Sequence, residues 1–180
     1  VIDGQVVDDD DITGVFVRRS AVYPEEFSST HPEDRGYLAA EAQAFLVFVL
    51  ATTRAAVANP VADGALGDDV IRPERWVPGA VDIGLSVAPV RIMSERQRPR
   101  RCHALVVEVV GAEAFGDVPA RLKVLALRLA QRLDLRWATL VFDGRQRLLT
   151  ITSTRPPGHD AVCALGRLLA TPVPLIPLHA

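Results

Sequence analysis

Trp137-Ala138-Thr139-Leu140-Val141-Phe142-Asp143-Gly144-Arg145-Gln146-Arg147-Leu148-Leu149-Thr150-Ile151-Thr152 is the stretch on which the fold turns. Trp137 to Phe142 and Arg147 to Thr152 are rich in β-branched and large apolar residues, and Asp143-Gly144 is a dipeptide that favours a tight hairpin turn. The reading is a β-hairpin. Upstream, Pro119 to Leu133 places Leu122, Leu125, Leu129 and Ala130 on one side of a helix, with Arg121, Arg128 and Arg132 beside it. Before that helix, Ala104 to Val110 reads as a strand. After the hairpin come a Pro156-Pro157-Gly158 loop, a helix from Asp160 to Leu169 and an extended tail from Pro172 to Pro177.

The first half has a different rhythm. Ile12 to Val17 reads as a buried strand that follows the acidic turn Asp8 to Asp11 and closes at Arg18-Arg19. That acidic run lacks the alternating ligands, central glycine and terminal glutamate of a calcium loop, so it is a solvated turn. Ser29 or Thr30 as cap and Pro32 in the first turn predict a helix from about Glu33 to Thr53, with Leu38, Ala42, Phe45, Leu46 and Val49 as its core face. Ala55 to Ala58 is a short strand stopped at Asn59-Pro60. A loop from Ala62 to Asp69 leads to a short helix carrying Trp76, Val77, Ala80 and Val81, opposed by Pro78-Gly79 and ended by Gly84 at positive φ. Ser86 to Met93 reads as a strand interrupted by Pro89. The arginine-rich segment that follows, with Arg96, Arg98, Arg100 and Arg101, is a linker. It has none of the interleaved aromatics that stack on bases. The expected organisation is therefore residues 1–93, a linker 94–103, and residues 104–180, the last packing with the first as one compact unit or standing apart.

Composition narrows the function. The 180 residues are 49% hydrophobic and 23% charged, ordinary for a globular chain. A net charge of -2 gives no basic field, so no nucleic-acid partner is expected. The longest apolar run, Ala42 to Ala51, contains Gln43 and is too short for a membrane span. Cys102 and Cys163 have no CxxC or Cys/His ligand spacing, which points to reduced thiols in a cytoplasmic protein rather than to zinc or a redox pair. No basic leader with a cleavable apolar segment opens the chain, and Val1 in place of a methionine leaves room for upstream sequence. His31, His103, His159 and His179 lack metalloprotease spacing, and no serine sits in a GxSxG elbow. Cys102 and His103 are adjacent on a strand and point to opposite faces. His159 with Asp160 is the one acid–base pair to test.

Two pieces of this pattern resemble ATP-grasp ligases of the RimK-like and microviridin-type, peptide-modifying branch. The first piece is Thr13 to Arg19, the helix around Glu41, Val57-Ala58-Asn59-Pro60, and Ala80 to Pro89; it covers about the first 90 residues. The second is Leu129 to Gly158, which looks like the end of the ATP-grasp lobe. The resemblance implies an α/β fold: a Rossmann-like pre-ATP-grasp half followed by a remnant of the C-terminal lobe, made of strand, helix, hairpin and helix. In active members the first hairpin strand supplies an acidic metal ligand and the second ends in a Glu-x-Asn pair. Magnesium bridging ATP phosphates requires such hard oxygen ligands. Here the matching positions are Thr139 or Leu140, then Thr150 and Thr152, while Asp143 is assigned to the turn. About fifty residues separate Pro89 from Phe142, too few for an ATP clamp, and the chain's one lysine, Lys123, falls on a helix there.

The resemblance thus implies a catalytically inactive homologue with no cofactor and no bound metal, acting as an accessory to a peptide-modifying or amino-acid ligase. Its partner is a protein or a second copy of the chain, packed where exposed apolar surface remains. The alternative is a small-molecule domain in which Arg18, Arg19 and Asn59, at strand ends, grip a carboxylate or phosphate.

Overall fold

The computed structural model describes residues 6–59, 66, 71–89, 104–153 and 155–171. In chain order its elements are strand β1 (Gly14–Val15), helix α1 (Arg35–Thr52), strand β2 (Ala56–Val57), helix α2 (Pro73–Asp82), strands β3 (Leu105–Val110) and β4 (Glu113–Phe115), helix α3 (Ala120–Arg132), strands β5 (Trp137–Phe142) and β6 (Leu148–Thr152), and helix α4 (His159–Ala170). The architecture is mixed α/β. β1 and β2 pair in parallel, and the other four strands form an antiparallel sheet in the order β4-β3-β5-β6.

The hairpin forms as its sequence predicts, but the turn is longer than a two-residue loop. Gln146 N donates to Asp143 O at 2.9 Å and Asp143 N to Arg147 O at 3.0 Å. Positive φ falls on Gln146, at 61°, and not on Gly144. Asp143 explains the difference: its Oδ1 accepts from Arg145 N and Arg147 N, both at 2.9 Å, so the side chain organises the turn that Gly144 was expected to make. A register shift at Val141/Phe142 then brings Leu148 opposite Phe142 and Thr150 opposite Val141. Leu149 is left as the extra residue of a bulge, which lets both Leu148 and Ile151 face the core.

One sheet face carries Val107, Val109, Ala138, Leu140, Phe142, Leu148 and Ile151 into a core shared with α2 and α3. The predicted face of α3 is borne out, with Leu122, Leu125, Leu129 and Ala130 all buried and Ala126 with them. Each fully buried leucine contributes roughly 1.5–3 kcal/mol. Ile71, Trp76, Ala80 and Leu85 belong to this same core, so packing runs from the first half into the second. α2 accommodates Pro78 and ends at Gly84, whose φ is 80°. Leu85 N donates to Ala80 O and Gly84 N to Val81 O, both at 2.9 Å, which closes the helix on its orphan carbonyls.

α4 packs on the opposite sheet face, where Ala161, Ala164 and Leu165 meet Val110 and Trp137. It also packs against β1 and β2, and so lies between the two sheets. Its backbone approaches β1 so closely that a Cβ on Gly14 would stand 2.5 Å from Leu169 Cβ.

Several expectations are corrected. Ser29 and Thr30 do not cap α1; a turn closed by Asp34 N donating to His31 O precedes it, and Asp34 takes the cap position. The predicted strand from Ser86 shortens, within the described residues, to one bridge between Val87 and Leu148 at the edge of β6. β4 escaped notice because its pairing segment is three residues long; the signal for it was Gly111, at φ 58° in the two-residue link from β3. The predicted core face of α1 holds only in part: Leu38, Ala42 and Leu46 are half-buried, but Phe45 is 65% exposed, Val49 is exposed, and Ala39 is the buried residue. The arginine-rich linker, Cys102, His103, Pro60 and the tail from Pro172 lie outside the described residues. Among the described residues no helix is long and apolar enough to cross a membrane.

Candidate functional site

Two places inherit the sequence-derived candidates. The first is a groove of about 320 Å³ between the β1 segment and α1, walled by Ile12, Val15, Phe16, Val17, Leu46, Val49, Leu50 and Leu66, with Arg18 and Arg19 on its border. It is overwhelmingly apolar because β1 offers side chains to a helix that is apolar on that flank as well. Arg19 is already committed. Its Nε and guanidinium donate to Ala21 O at 3.0 Å, and it pairs with Glu26. The Tyr23 N–H, donating to Glu26 Oε1 at 2.8 Å, and then Arg19 hold the Glu26 carboxyl below its ordinary value. Arg18 is exposed and, among the described residues, has no hydrogen-bond or ion-pair partner.

Asn59 is elsewhere. It stands at the end of β2 and bridges to β5: its Nδ2 donates to Trp137 O at 2.8 Å, while its Oδ1 accepts from Trp137 N at 2.9 Å and Arg136 N at 3.1 Å. Arg136 returns a bond to Val57 O at 3.3 Å. The structure therefore brings Arg18 and Arg19 together at the groove and gives Asn59 to the joint between the two sheets.

The second place is the face of the antiparallel sheet on which α4 packs. Register puts Phe115, Glu108, Thr139 and Thr152 in one row across β4, β3, β5 and β6. Thr150, opposite Val141, shares that face. Leu140 does not: it points the other way, fully buried in the core beside Ile151. Of the paired sequence candidates Thr139 and Leu140, Thr139 is the one that stands with Thr150 and Thr152. Its Oγ1 is buried and, among the described residues, has no hydrogen-bond partner. Glu108, which the sequence reading passed over inside an apolar strand, is the carboxylate of this row. Both its oxygens accept from Gly158 N, at 3.0 and 3.1 Å, at the amino end of α4, where the helix dipole favours an anion.

Among the described residues no group of three or more His, Cys, Asp or Glu could hold a metal ion. Lys123 sits in the first turns of α3, away from this face of the sheet. His159 and Asp160, the acid–base pair the sequence raised, are successive exposed residues opening α4.

This arrangement has solved counterparts. The macrocyclase MdnC from Microcystis aeruginosa MRC, in a crystal structure bound with the precursor peptide MdnA, superposes with a TM-score of 0.67 at 13% identity, over 93% of this chain and 80% of that one. The macrocyclase MdnB from the same organism gives 0.51 at 12% identity, over 93% and 75%. The chain shares its fold with these two macrocyclases. No protein-family model matches the sequence, and no curated protein does. The coarse expectation from the two sequence segments is thus met at the level of fold.

Proposed function

We propose that the protein is a non-catalytic ATP-grasp relative that works as an accessory to a peptide-modifying ligase. The observation that carries this reading is the threonine row on the α4 side of the hairpin sheet. Where magnesium and ATP would need carboxylates, Thr139, Thr150 and Thr152 offer hydroxyls, and Glu108 is engaged at the amino end of α4. A hydroxyl is a neutral donor and a weak ligand for a hard dication, so this set does not fit a magnesium ion bridging phosphates. A peptide is the fitting partner class because MdnC, a neighbour in fold, is a macrocyclase seen with a precursor peptide. Isothermal titration with magnesium and ATP tests the claim: no heat of binding up to millimolar nucleotide is expected, and micromolar affinity would overturn it.

A second reading has its own observation, the unpaired Arg18 beside an apolar groove. A guanidinium over apolar walls suits a small carboxylate with an apolar body better than it suits inorganic phosphate. Thermal-shift measurements with short aliphatic carboxylates and with phosphate would decide. The reading requires stabilisation by the carboxylates that is lost in Arg18→Ala, and no shift with any ligand removes it.

A further inference from the structure

α1 is apolar on every side, yet among the described residues little covers it. From Gly36 to Thr52 its one charged residue is Glu41. Its principal neighbour is the short turn Pro24–Phe27, and just before that turn Val22 N donates to Gln43 Oε1 at 2.9 Å. Tyr37, Phe45 and Phe48 are 67%, 65% and 63% exposed. A helix apolar all round is ordinarily one that is buried. We infer that α1 pairs with α1 of a second copy of this chain, antiparallel about a two-fold axis at Ala44. This inference is independent of whether the protein binds ATP.

The sequence of the exposed face selects that occupant. Tyr37, Ala40, Ala44, Phe48 and Ala51 follow one another at helical spacing and all are exposed. In an antiparallel pair centred on Ala44, residues equidistant from it lie opposite one another. Tyr37 of one copy then covers Ala51 of the other, Phe48 covers Ala40, and Ala44 meets itself. Each ring meets an alanine and the two alanines at the axis meet each other, which is what close helix packing requires.

The ends match in charge as well. Arg54, just past the end of α1, is 78% exposed and held among the described residues only by a 3.6 Å contact to the equally exposed Asp10; it comes to the same end of the pair as Asp34, which opens α1 and whose side chain caps nothing. Two such pairs arise by symmetry, and they fix direction and register more than strength. Aromatic side chains bury roughly 150–250 Å² each when covered, so the two rings on this face, Tyr37 and Phe48, offer on the order of 200–330 Å² per copy. That is about a third of the ~800 Å² per partner in a standard interface. The exposed alanines between the rings and the flanks of the helix add to it.

Sedimentation velocity on the whole chain should show a dimer that dissociates on dilution. Phe48→Glu, at a solvent-exposed position, should leave the circular dichroism spectrum unchanged and weaken association by at least about a hundredfold, because each charge would face an alanine of the other copy. Asp34→Arg should weaken the dimer and Asp34→Arg with Arg54→Asp should restore it. In a chain with Cys102 and Cys163 changed to serine, Ala44→Cys should cross-link to a covalent dimer on oxidation, and Val124→Cys on α3 should not. A wild-type monomer at about 100 µM overturns the proposal. So does a dimer indifferent to Phe48→Glu, or one that Val124→Cys traps as readily as Ala44→Cys.

Discussion

Asn59 and Asp143 are both turn-forming residues by type, and each does more than form a turn. Asn59 satisfies backbone groups of Arg136 and Trp137, 77 and 78 residues away, with three hydrogen bonds. Its side chain replaces strand pairing where β2 meets β5, beside a Trp137 that is 0% exposed. Asn59→Ala leaves partly buried donors and an acceptor without partners, and should lower unfolding stability by about 2 kcal/mol in urea titration. Asp143 is held below its ordinary pKa first by the Arg147 backbone N–H, then by the Arg147 guanidinium and the Arg145 N–H. Because the folded value lies below the unfolded one, the contribution is fully present above the unfolded value, near pH 4, and fades as pH falls through the folded value. Wild type should exceed Asp143→Asn in stability at neutral pH, and the gap should narrow below about pH 4. A gap that widened in acid would contradict this assignment.

Among the elements, close approach decides what propensity leaves open. Gly14 has no positive φ, so its glycine is explained by space: an added Cβ would meet Leu169 Cβ at 2.5 Å and Leu169 O at 2.7 Å. Gly14→Ala should therefore cost roughly 1–3 kcal/mol, as overpacking does, through separation of β1 from α4. Leu169→Ala should not rescue it, because alanine keeps the Cβ and the carbonyl that clash. Rescue by that second change would show that the contact is made by the leucine's outer carbons instead. α3 was legible beforehand because its apolar period of 3.6 runs over enough residues to be unambiguous, and the hairpin because two apolar, β-branched runs flank the turn-forming Asp143-Gly144. β4 was not, since a three-residue strand at the sheet edge has no period to read. The face of α1 could not be read either: when apolar residues occupy all sides, periodicity carries no direction.

For the whole molecule, the question is how the two halves are joined. The β1–β2 pair and the four-stranded sheet share α4, the Asn59 bridge and an edge-to-face contact between Phe16 and Trp137 with ring centroids 5.5 Å apart. Ile71 to Leu85 packs into the core of the second half, and Ser86 to Ala88 runs along β6, with Leu148 N donating to Ser86 O at 2.8 Å. These ties favour one cooperative unit over the two parts, 1–93 and 104–180, that the linker suggests. Trp76 and Trp137 sit in different clusters and report separately. In the single-tryptophan variants Trp76→Phe and Trp137→Phe, fluorescence and far-ultraviolet circular dichroism should give coincident unfolding midpoints. Separate midpoints would establish two independently folding parts.

By itself the sequence determined the α/β class, the hairpin, the amphipathic α3, the glycine end of α2 and an ATP-grasp likeness carried by two segments. Each of these depends on residues close together in the chain, whose spacing or turn chemistry is local. Tertiary structure alone decided that Arg18 stays unpaired while Arg19 and Asn59 are committed, and that Thr139 rather than Leu140 stands with Thr150 and Thr152. It also decided that α1 shows its aromatic rings to solvent. Those outcomes depend on which partner arrives from across the fold: a strand's alternation shows that two neighbours face opposite ways, but only packing determines which of the two faces is buried.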